Sequence, residues 1–272
     1  MSDLLVFLQA RSRNGLLPWA AQFAASQCFR KGLAEVEEIA LANGLLPARY
    51  QRNRAMLSVP EQHRLFARHV AVIGCGGLGG YVLAGLARLG IGRITAIDPD
   101  CFEEHNLNRQ LLSSIKNLGQ PKVAAAVEQL GAINPAVTVI AYQEAFGMGN
   151  GERLLRGADV VVDCLDSVTV RLELAEVCTL LGIPLVHGAI GGWYGHVSTV
   201  LPGALSFDRL YGNNDNGKGV EVTMGNPSFT PAVVAALEVA EVCKLLLDKG
   251  SILDDRALSI DLLDMEFTEI TL

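Results

Sequence analysis

The glycine-rich segment 73–79, Ile-Gly-Cys-Gly-Gly-Leu-Gly, constrains the fold more than any other part of this 272-residue chain. It follows an apolar strand pattern at 70–73 and leads into a helical pattern at 82–89. Glycines between a strand and a helix allow a tight turn, a close approach of backbone to a phosphate, and close packing of the helix on the strand. The helix N-terminus also attracts an anion, because its N–H groups are free and its dipole is positive there. We therefore predict a phosphate site formed by Gly74, Gly76, Gly77 and Gly79.

Short apolar runs alternate with amphipathic segments after residue 69. The runs are continuous in Val and Ile rather than strictly alternating, which is typical of strands covered on both faces by helices. Alternation of strand and helix predicts an α/β fold with a Rossmann-like, doubly wound and mainly parallel sheet. The predicted strands are 70–73, 93–98, 137–141, 159–164 and 185–189, and the predicted helices are 82–89, 121–133 and 169–181.

The chain after residue 189 is predicted to differ from this alternation. Residues 203–229, which we name the crossover segment, are rich in turn-forming residues and predict a long surface loop. A helix is expected at 230–247, because Thr230 and Pro231 are typical of a helix start. Residues 258–262 and 265–270 predict a closing antiparallel pair.

Residues 1–48 are predicted to form a helical extension, and residues 49–272 the main domain. A single helix is expected over 18–43, since Pro18 suits a first helical turn and Asn43-Gly44 supplies a stop. We predict no internal repeat in the chain.

Composition excludes several classes of protein. With 50% hydrophobic residues the chain is globular rather than disordered. Its net charge of −7 argues against an extended nucleic-acid footprint. The six cysteines form no Cys-x-x-Cys pair, which predicts neither a zinc site nor a disulfide framework. An acidic start and the absence of a long apolar run predict a cytoplasmic protein without a membrane span.

Charged residues follow the ends of successive predicted strands. Asp98 lies 19 residues after Gly79, where a carboxylate can accept from ribose hydroxyls. Arg109 follows in the next loop, Lys122 opens a helix, and Asp166 follows the strand 159–164. Two cations and a carboxylate suit a triphosphate with Mg²⁺ better than a dinucleotide. Taken singly, each cation also fits a solvated surface charge, and Asp166 also fits a helix cap.

From Arg49 onward the chain resembles the ThiF/MoeB/HesA family of adenylating enzymes, which are relatives of ubiquitin-activating enzyme. Six ordered motifs carry the resemblance: Arg49-Tyr50-Gln51-Arg52, the glycine loop Gly74 to Gly79, Asp98-Pro99-Asp100, Asn106 to Gln110, Gln120-Pro121-Lys122, and Asp163 to Asp166.

The resemblance implies an ATP-dependent adenylyltransferase. Its expected substrate is the C-terminal Gly-Gly carboxylate of a small ubiquitin-like sulfur-carrier protein of the MoaD or ThiS type, activated as an acyl-adenylate. It implies a homodimer with ATP and Mg²⁺ as ligands. The implied roles are ribose binding by Asp98 within the Asp98-Pro99-Asp100 nucleotide motif, phosphate binding by Arg109 and Lys122 assisted by Asn106, Mg²⁺ binding by Asp166, and a contribution of Arg52 to the partner subunit's site.

The chain also departs from the family pattern. Two Cys-x-x-Cys pairs that hold zinc in many members are missing, so no zinc is expected. No cysteine lies between Cys178 and Cys243, so the chemistry is expected to end at the acyl-adenylate without a thioester. Ser167 replaces a frequent Asn, while His187 and His196 are interpreted as packed structural residues. The alternatives are a family member that adenylates a small-molecule or tRNA-nucleoside carboxylate, and an NAD-dependent oxidoreductase.

Overall fold

The structure is a computed structural model that describes residues 3–204, 206–211 and 224–272. Its N-terminal part contains α1 Asp3–Arg11, β1 Leu16–Leu17, α2 Trp19–Phe29, α3 Leu33–Ala42 and β2 Leu46–Pro47. The main domain then contains α4 Val59–Phe66, β3 His69–Ile73, α5 Gly77–Leu89, β4 Arg93–Ile97, α6 Lys122–Ile133, β5 Thr138–Tyr142, α7 Gly151–Leu155, β6 Val160–Asp163, α8 Val168–Leu181, β7 Leu185–Gly191, β8 Tyr194–Val200, α9 Ser206–Tyr211, α10 Phe229–Leu247, β9 Arg256–Asp261 and β10 Glu266–Thr271, with short 3-10 turns at Ala48–Asn53, Glu104–Asn106 and Ile115–Asn117.

An eight-stranded sheet in the described part of the chain has the order β10-β9-β8-β7-β6-β3-β4-β5. Strands β5, β4, β3, β6 and β7 are parallel, whereas β8, β9 and β10 extend the sheet in antiparallel fashion. This arrangement confirms the predicted Rossmann-like α/β fold with a mainly parallel sheet and an antiparallel C-terminal portion. Strand β3 pairs with β4 on one side and with β6 on the other, so the chain order reverses between β3 and β6.

The central strand β3 divides the core into two layers. Val70 and Val72 pack into a cluster with residues of α5 and α10, while Ala71 and Ile73 pack into a second cluster with residues of α7 and α8. Since successive side chains of a strand point to opposite faces, an unbroken apolar strand is needed to serve both layers. No helix among the described residues is both long enough and apolar enough to cross a bilayer.

The N-terminal part contains two of the chain's departures from expectation. The single helix predicted over 18–43 is wrong, because α2 ends at Phe29 and α3 begins at Leu33. Arg30 adopts a left-handed backbone conformation with φ of 52°, and Gly32 has extended backbone at the start of α3. The hydroxyl of Ser26 donates to the carbonyl of Lys31 at 2.7 Å and holds this turn.

The prediction of no internal repeat is also wrong. The sequence Asn-Gly-Leu-Leu-Pro occurs at 14–18 and again at 43–47. The two copies pair as parallel strands, with Leu16 opposite Leu46 and Leu17 opposite Pro47. Each copy ends in a proline that precedes a helical segment. The repeat therefore joins the chain just before α2 to the chain just after α3.

Further features of the main domain also differ from the prediction. Helix α5 begins at Gly77, within the glycine loop. Strand β8, which pairs with β7 and β9, was not predicted. The crossover segment is not loop throughout, since α9 lies within it. Residues 212–223 of the predicted loop lie outside the described residues.

A buried tyrosine connects the N-terminal helices to the main domain. The hydroxyl of Tyr50 donates to a carboxylate oxygen of Glu37 on α3 at 2.7 Å and accepts from the amide of Asn134 at 2.7 Å. The same amide nitrogen of Asn134 donates to the carbonyl of Ala87 at 3.0 Å. Arg49 forms an ion pair with Glu37, whose side chain is fully buried. These contacts place one polar network between α3, the end of α5 and the end of α6.

We expect Tyr50→Phe to lower the free energy of unfolding by about 1–3 kcal/mol, because Glu37 and Asn134 would each lose a buried hydrogen-bond partner. Urea unfolding followed by circular dichroism measures this change. Tyr81→Phe is the matched control, since the Tyr81 side chain packs on the core and its hydroxyl has no hydrogen-bond partner among the described residues. Equal losses in the two variants would contradict a stabilising role of the Tyr50 hydroxyl.

Candidate functional site

The carboxyl ends of β3, β4 and β6 meet at one cavity of about 340 Å³. In open α/β sheets, ligands bind at the point where the strand order reverses, and here that point lies between β3 and β6. The structure brings eight of the predicted site residues to the wall of this cavity: Gly74, Gly76, Gly77, Asp98, Asp100, Arg109, Lys122 and Asp166.

The glycine loop is shaped by two close backbone approaches. Gly74 has φ of +95°, and a Cβ atom there would lie 2.6 Å from the carbonyl oxygen of Cys164. A Cβ atom at Gly79 would lie 1.8 Å from the carbonyl oxygen of Gly74. Any side chain at either position would therefore push α5 away from the sheet. Gly79 allows α5 to pack closely against the backbone of Gly74, and it is not among the described residues that line the cavity.

Asp98 is 4% exposed and is held by two backbone N–H groups. Its Oδ2 accepts from the N–H of Cys75 at 2.7 Å, and its Oδ1 accepts from the N–H of Asp100 at 2.8 Å. Burial raises the pKa of Asp98, while the Lys122 ammonium at 3.8 Å and the two N–H bonds oppose that rise. The carboxylate is thus fixed at the cavity wall with lone pairs left for a further donor.

Lys122 and Arg109 are two of the cations that line the cavity, together with Arg171. Lys122 is 7% exposed, and its Nζ donates to Oδ2 of Asp100 at 2.8 Å. Arg109 donates through Nη1 to the carbonyl of His105 at 3.1 Å and to Oδ1 of Asn108 at 2.8 Å. Because the Asp100 side chain is largely exposed, a phosphate can compete with it for the lysine.

Asp166 is an exposed residue of the loop between β6 and α8. The alternative that it caps α8 is not what the structure shows, because the hydroxyl of Ser167 accepts from the N–H of Val170 at that position. Asp166 therefore presents its carboxylate at the cavity wall without serving as a helix cap.

Asn106 and Arg52 are not brought to the cavity. Asn106 is buried, and its Oδ1 accepts from the N–H of Glu103 at 2.9 Å, so its side chain stabilises the turn that precedes Arg109. Arg52 is exposed on the 3-10 turn Ala48–Asn53 and is not among the described residues that line this chain's cavity.

Several lining residues were missed by the sequence reasoning. Gln110 and Asn226 each have a buried side-chain oxygen without a hydrogen-bond partner among the described residues. Gln110 lies inside a recognised motif, whereas Asn226 comes from the return of the crossover segment, where no local pattern marks it. Phe146 could have been found because it follows the carboxyl end of β5.

A sequence profile of the ThiF family matches residues 50–272. The chain belongs to the ThiF family. It is 36% identical over 226 residues to the SAMP-activating enzyme E1 of Haloferax volcanii, which covers 82% of this chain and 84% of that relative. It is also 36% identical over 233 residues to the sulfur carrier protein adenylyltransferase of Thermus thermophilus, with 82% and 86% covered.

A solved structure with a similar fold is the tRNA N6-threonylcarbamoyladenosine dehydratase of E. coli in complex with ATP. Its TM-score is 0.63 at 25% identity, with 74% of this chain and 94% of that chain covered. The family profile and the relatives confirm the resemblance drawn from the six sequence motifs.

Two histidines of this ThiF-family chain lie beneath the loop that carries Asp166. Nδ1 of His187 lies 2.7 Å from Oδ2 of Asp163, and since a carboxylate can only accept, the proton is assigned to Nδ1. Nε2 of His187 lies 3.0 Å from Nε2 of His196. Burial lowers the pKa of His187, and burial with the neighbouring His187 lowers the pKa of His196 to about 3. Both rings are therefore neutral near pH 7, in keeping with their interpretation as packed, hydrogen-bonded residues.

Glu238 of α10 is the other unusual titratable group near the site. Its side chain is fully buried, and neither carboxylate oxygen has a hydrogen-bond partner among the described residues. Its carboxyl carbon lies against β7, at 2.5 Å from where a Cβ atom would stand at Gly188. Burial raises the pKa of Glu238 well above its ordinary value, and the nearby Asp163 raises it further. Burial therefore favours the protonated form of this carboxyl group in the folded protein.

We expect the Glu238 carboxyl group to contribute a fall in the free energy of unfolding as pH rises from about 4.5, because the unfolded chain then releases the Glu238 proton while burial favours the protonated form in the folded protein. One proton gives a slope of at most about 1.4 kcal/mol per pH unit. Urea unfolding from pH 5 to 8 should show this contribution as the difference between the wild type and Glu238→Gln, because the other titrating groups, such as the buried histidines, are common to both proteins. Glu128→Gln, on an exposed glutamate of α6, is the control that keeps the slope. Parallel curves for the wild type and Glu238→Gln would contradict a protonated Glu238.

Proposed function

We propose that this ThiF-family adenylyltransferase transfers AMP from ATP to the C-terminal Gly-Gly carboxylate of a small ubiquitin-like sulfur-carrier protein. The observation that carries the proposal is the convergence of the glycine loop, Asp98, Lys122, Arg109 and Asp166 on one cavity. The names of the two relatives, a SAMP-activating enzyme and a sulfur carrier protein adenylyltransferase, support the same substrate class.

The cavity residues fit the parts of ATP. The free N–H groups at the start of α5 and the side chain of Arg109, which lies beside Gly77, suit the phosphates. Lys122 exchanges its contact with Asp100 for a phosphate oxygen. Asp98 suits the ribose hydroxyls, because its position is fixed by two backbone bonds. The unpartnered amide oxygen of Gln110 adds a hydrogen-bond acceptor at the same wall.

The carboxylate of Asp166 also fits Mg²⁺. Among the described residues no group of three or more His, Cys, Asp or Glu side chains is arranged to hold a metal by itself. Mg²⁺ in nucleotide sites needs only one or two carboxylates, because phosphates and waters complete its shell. We assign this role to Asp166, and the bound ion would supply charge neutralisation on the phosphates.

The reaction requires positioning and charge stabilisation. A carboxylate oxygen of the carrier attacks the α-phosphorus, the bond from that phosphorus to the bridging oxygen breaks, and pyrophosphate leaves. The nucleophile is already ionised, so no general base is needed. Lys122 and Arg109 stabilise the negative charge that accumulates on the phosphate oxygens. Because no cysteine lies between Cys178 and Cys243, we propose that the acyl-adenylate is the product released to the next reaction.

The second candidate is a ThiF-family enzyme that adenylates a small-molecule or tRNA-nucleoside carboxylate. The structural similarity to a tRNA-modifying dehydratase favours it. The net charge of −7 disfavours a tRNA substrate, since phosphate contacts need clustered cations. An oxidoreductase is disfavoured by Lys122 and Arg109, because a dinucleotide has no departing pyrophosphate that would need them.

ATP–pyrophosphate exchange should require both Mg²⁺ and a carrier protein ending in Gly-Gly. We expect Asp166→Asn to reduce the exchange rate about 100-fold or more, because charge stabilisation in the transition state is lost. Asp248→Asn makes the same chemical change at an exposed aspartate outside the cavity and should leave the rate unchanged. Exchange that stays undetectable with every Gly-Gly carrier tested, but appears with a small carboxylic acid or a modified tRNA, would favour the second candidate.

The proposed homodimer makes Arg52 of one subunit act in the site of the other. Arg52→Ala and Asp166→Ala should each be inactive alone. Mixed after dissociation and reassociation, they should regain about a quarter of wild-type exchange activity, since half of the dimers would be mixed and each would contain one intact site. Failure of the mixture to regain activity, with mixed dimers demonstrated by native mass spectrometry, would contradict the role of Arg52 across the subunit boundary.

A further inference from the structure

Leu165, the residue that precedes Asp166, is held by buried side chains at both its N–H and its carbonyl group. The N–H of Leu165 donates to Oδ1 of Asp163 at 2.9 Å, and the carbonyl of Leu165 accepts from Nη2 of Arg171. The Asp163 side chain is fully buried, and Arg171 is 4% exposed. Because both backbone polar groups of Leu165 are fixed, the direction in which the next residue leaves the sheet is fixed as well.

Asp163 and Arg171 are in turn connected through two other side chains. His187 bonds to Oδ2 of Asp163 through Nδ1, and its Nε2 lies 2.9 Å from the hydroxyl of Tyr211. That hydroxyl accepts from Nη1 of Arg171 at 3.1 Å. With Nδ1 of His187 protonated, Nε2 is an acceptor to which the Tyr211 hydroxyl can donate. Nε2 of His196 also lies 3.3 Å from that hydroxyl. The four side chains form a closed ring beneath Leu165.

Tyr211 comes from a different part of the chain than the other three members. Asp163 ends β6, Arg171 lies on α8 and His187 lies on β7, whereas Tyr211 is the last residue of α9 in the crossover segment. It is 8% exposed and therefore well seated. The ring thus connects the crossover segment to the loop that presents Asp166.

We propose that Tyr211 is a positioning residue for the site. Its hydroxyl completes the ring that fixes the Leu165 peptide, so the seating of α9 determines where the Asp166 carboxylate stands. Without the hydroxyl, Arg171 loses one of its acceptors, which weakens its hold on the Leu165 carbonyl. The inference rests on the Mg²⁺ role of Asp166 in the proposed function, but it makes no use of the identity of the acyl substrate.

The test is the gain in ATP affinity that Mg²⁺ produces, measured by calorimetric titration of the full chain with ATP in the presence and absence of Mg²⁺. We expect Tyr211→Phe to reduce this gain about 10-fold, as is usual when a residue that orients a metal ligand is removed. Tyr194→Phe is the matched control. Tyr194 and Tyr211 both line a second cavity, separate from the one at the glycine loop, and the Tyr194 hydroxyl has no hydrogen-bond partner among the described residues. It should retain the full gain.

A double-mutant cycle separates positioning from a general structural effect. If Tyr211 acts through Asp166, then Tyr211→Phe should cause no further loss of the Mg²⁺-dependent gain in an Asp166→Asn background. Equal losses of ATP affinity with and without Mg²⁺, or losses that add in the double variant, would overturn the proposal. An Asp166→Asn variant with an unchanged gain would overturn it too.

A second variant guards against a folding defect in Tyr211→Phe. Arg171→Lys keeps the positive charge but lacks the planar fork that reaches both Leu165 and Tyr211. We expect it to reduce the Mg²⁺-dependent gain as Tyr211→Phe does, and a wild-type gain in a folded Arg171→Lys protein would overturn the ring. Failure of carrier-dependent exchange would refute the proposed substrate and leave these binding results standing.

Discussion

The contact between the glycine loop and the end of β6 is the constraint on which the rest of the site depends. The space between Gly74 and the carbonyl of Cys164 admits no side chain, and the same is true between Gly79 and Gly74. This closeness brings the start of α5 next to the strand that leads to Asp166. It also places the N–H of Cys75 on Asp98, which follows β4. Three strand ends therefore share one cavity because two residues have no Cβ atom.

The buried charge of Lys122 in this cavity is stabilised by ion pairs rather than by water. Lys122 is almost fully buried and is satisfied by two aspartates, of which Asp100 is largely exposed and Asp98 is held by backbone bonds. A buried ammonium without a partner would be costly, so the aspartates keep the site folded when no phosphate is bound. Asp100 is the partner that a phosphate can displace, because its own hydration compensates for the lost contact.

The parallel strands and the carboxylate after β4 could be predicted, because each depends on a short stretch of sequence. The continuous Val and Ile runs identified the parallel strands, and the spacing from Gly79 to Asp98 singled out a carboxylate that the structure places at the cavity wall. What could not be predicted depends on contacts between distant segments. Strand β8 exists because it pairs with β7 and β9. The crossover segment brings Asn226 to the cavity and Tyr211 to the side chains beneath it. The break between α2 and α3 was missed because the left-handed backbone conformation of Arg30 cannot be recognised from the pattern of hydrophobic residues.

The two faces of β7 explain how buried titratable groups are accommodated below the cavity. His187 points to the side of α8 and α9, where Asp163 and Tyr211 satisfy it, while Gly188 leaves room on the opposite side for Glu238. One side carries a hydrogen-bonded polar ring, and the other carries the Glu238 carboxyl group, whose protonated form is favoured because burial raises its pKa. Burial favours the neutral forms of Glu238 on one face of β7 and of His187 on the other. Asp163 and Arg171 form an ion pair beneath the loop that carries Asp166. That pair holds Leu165 from both sides, so the rigidity of the loop at Asp166 arises from the layer beneath it.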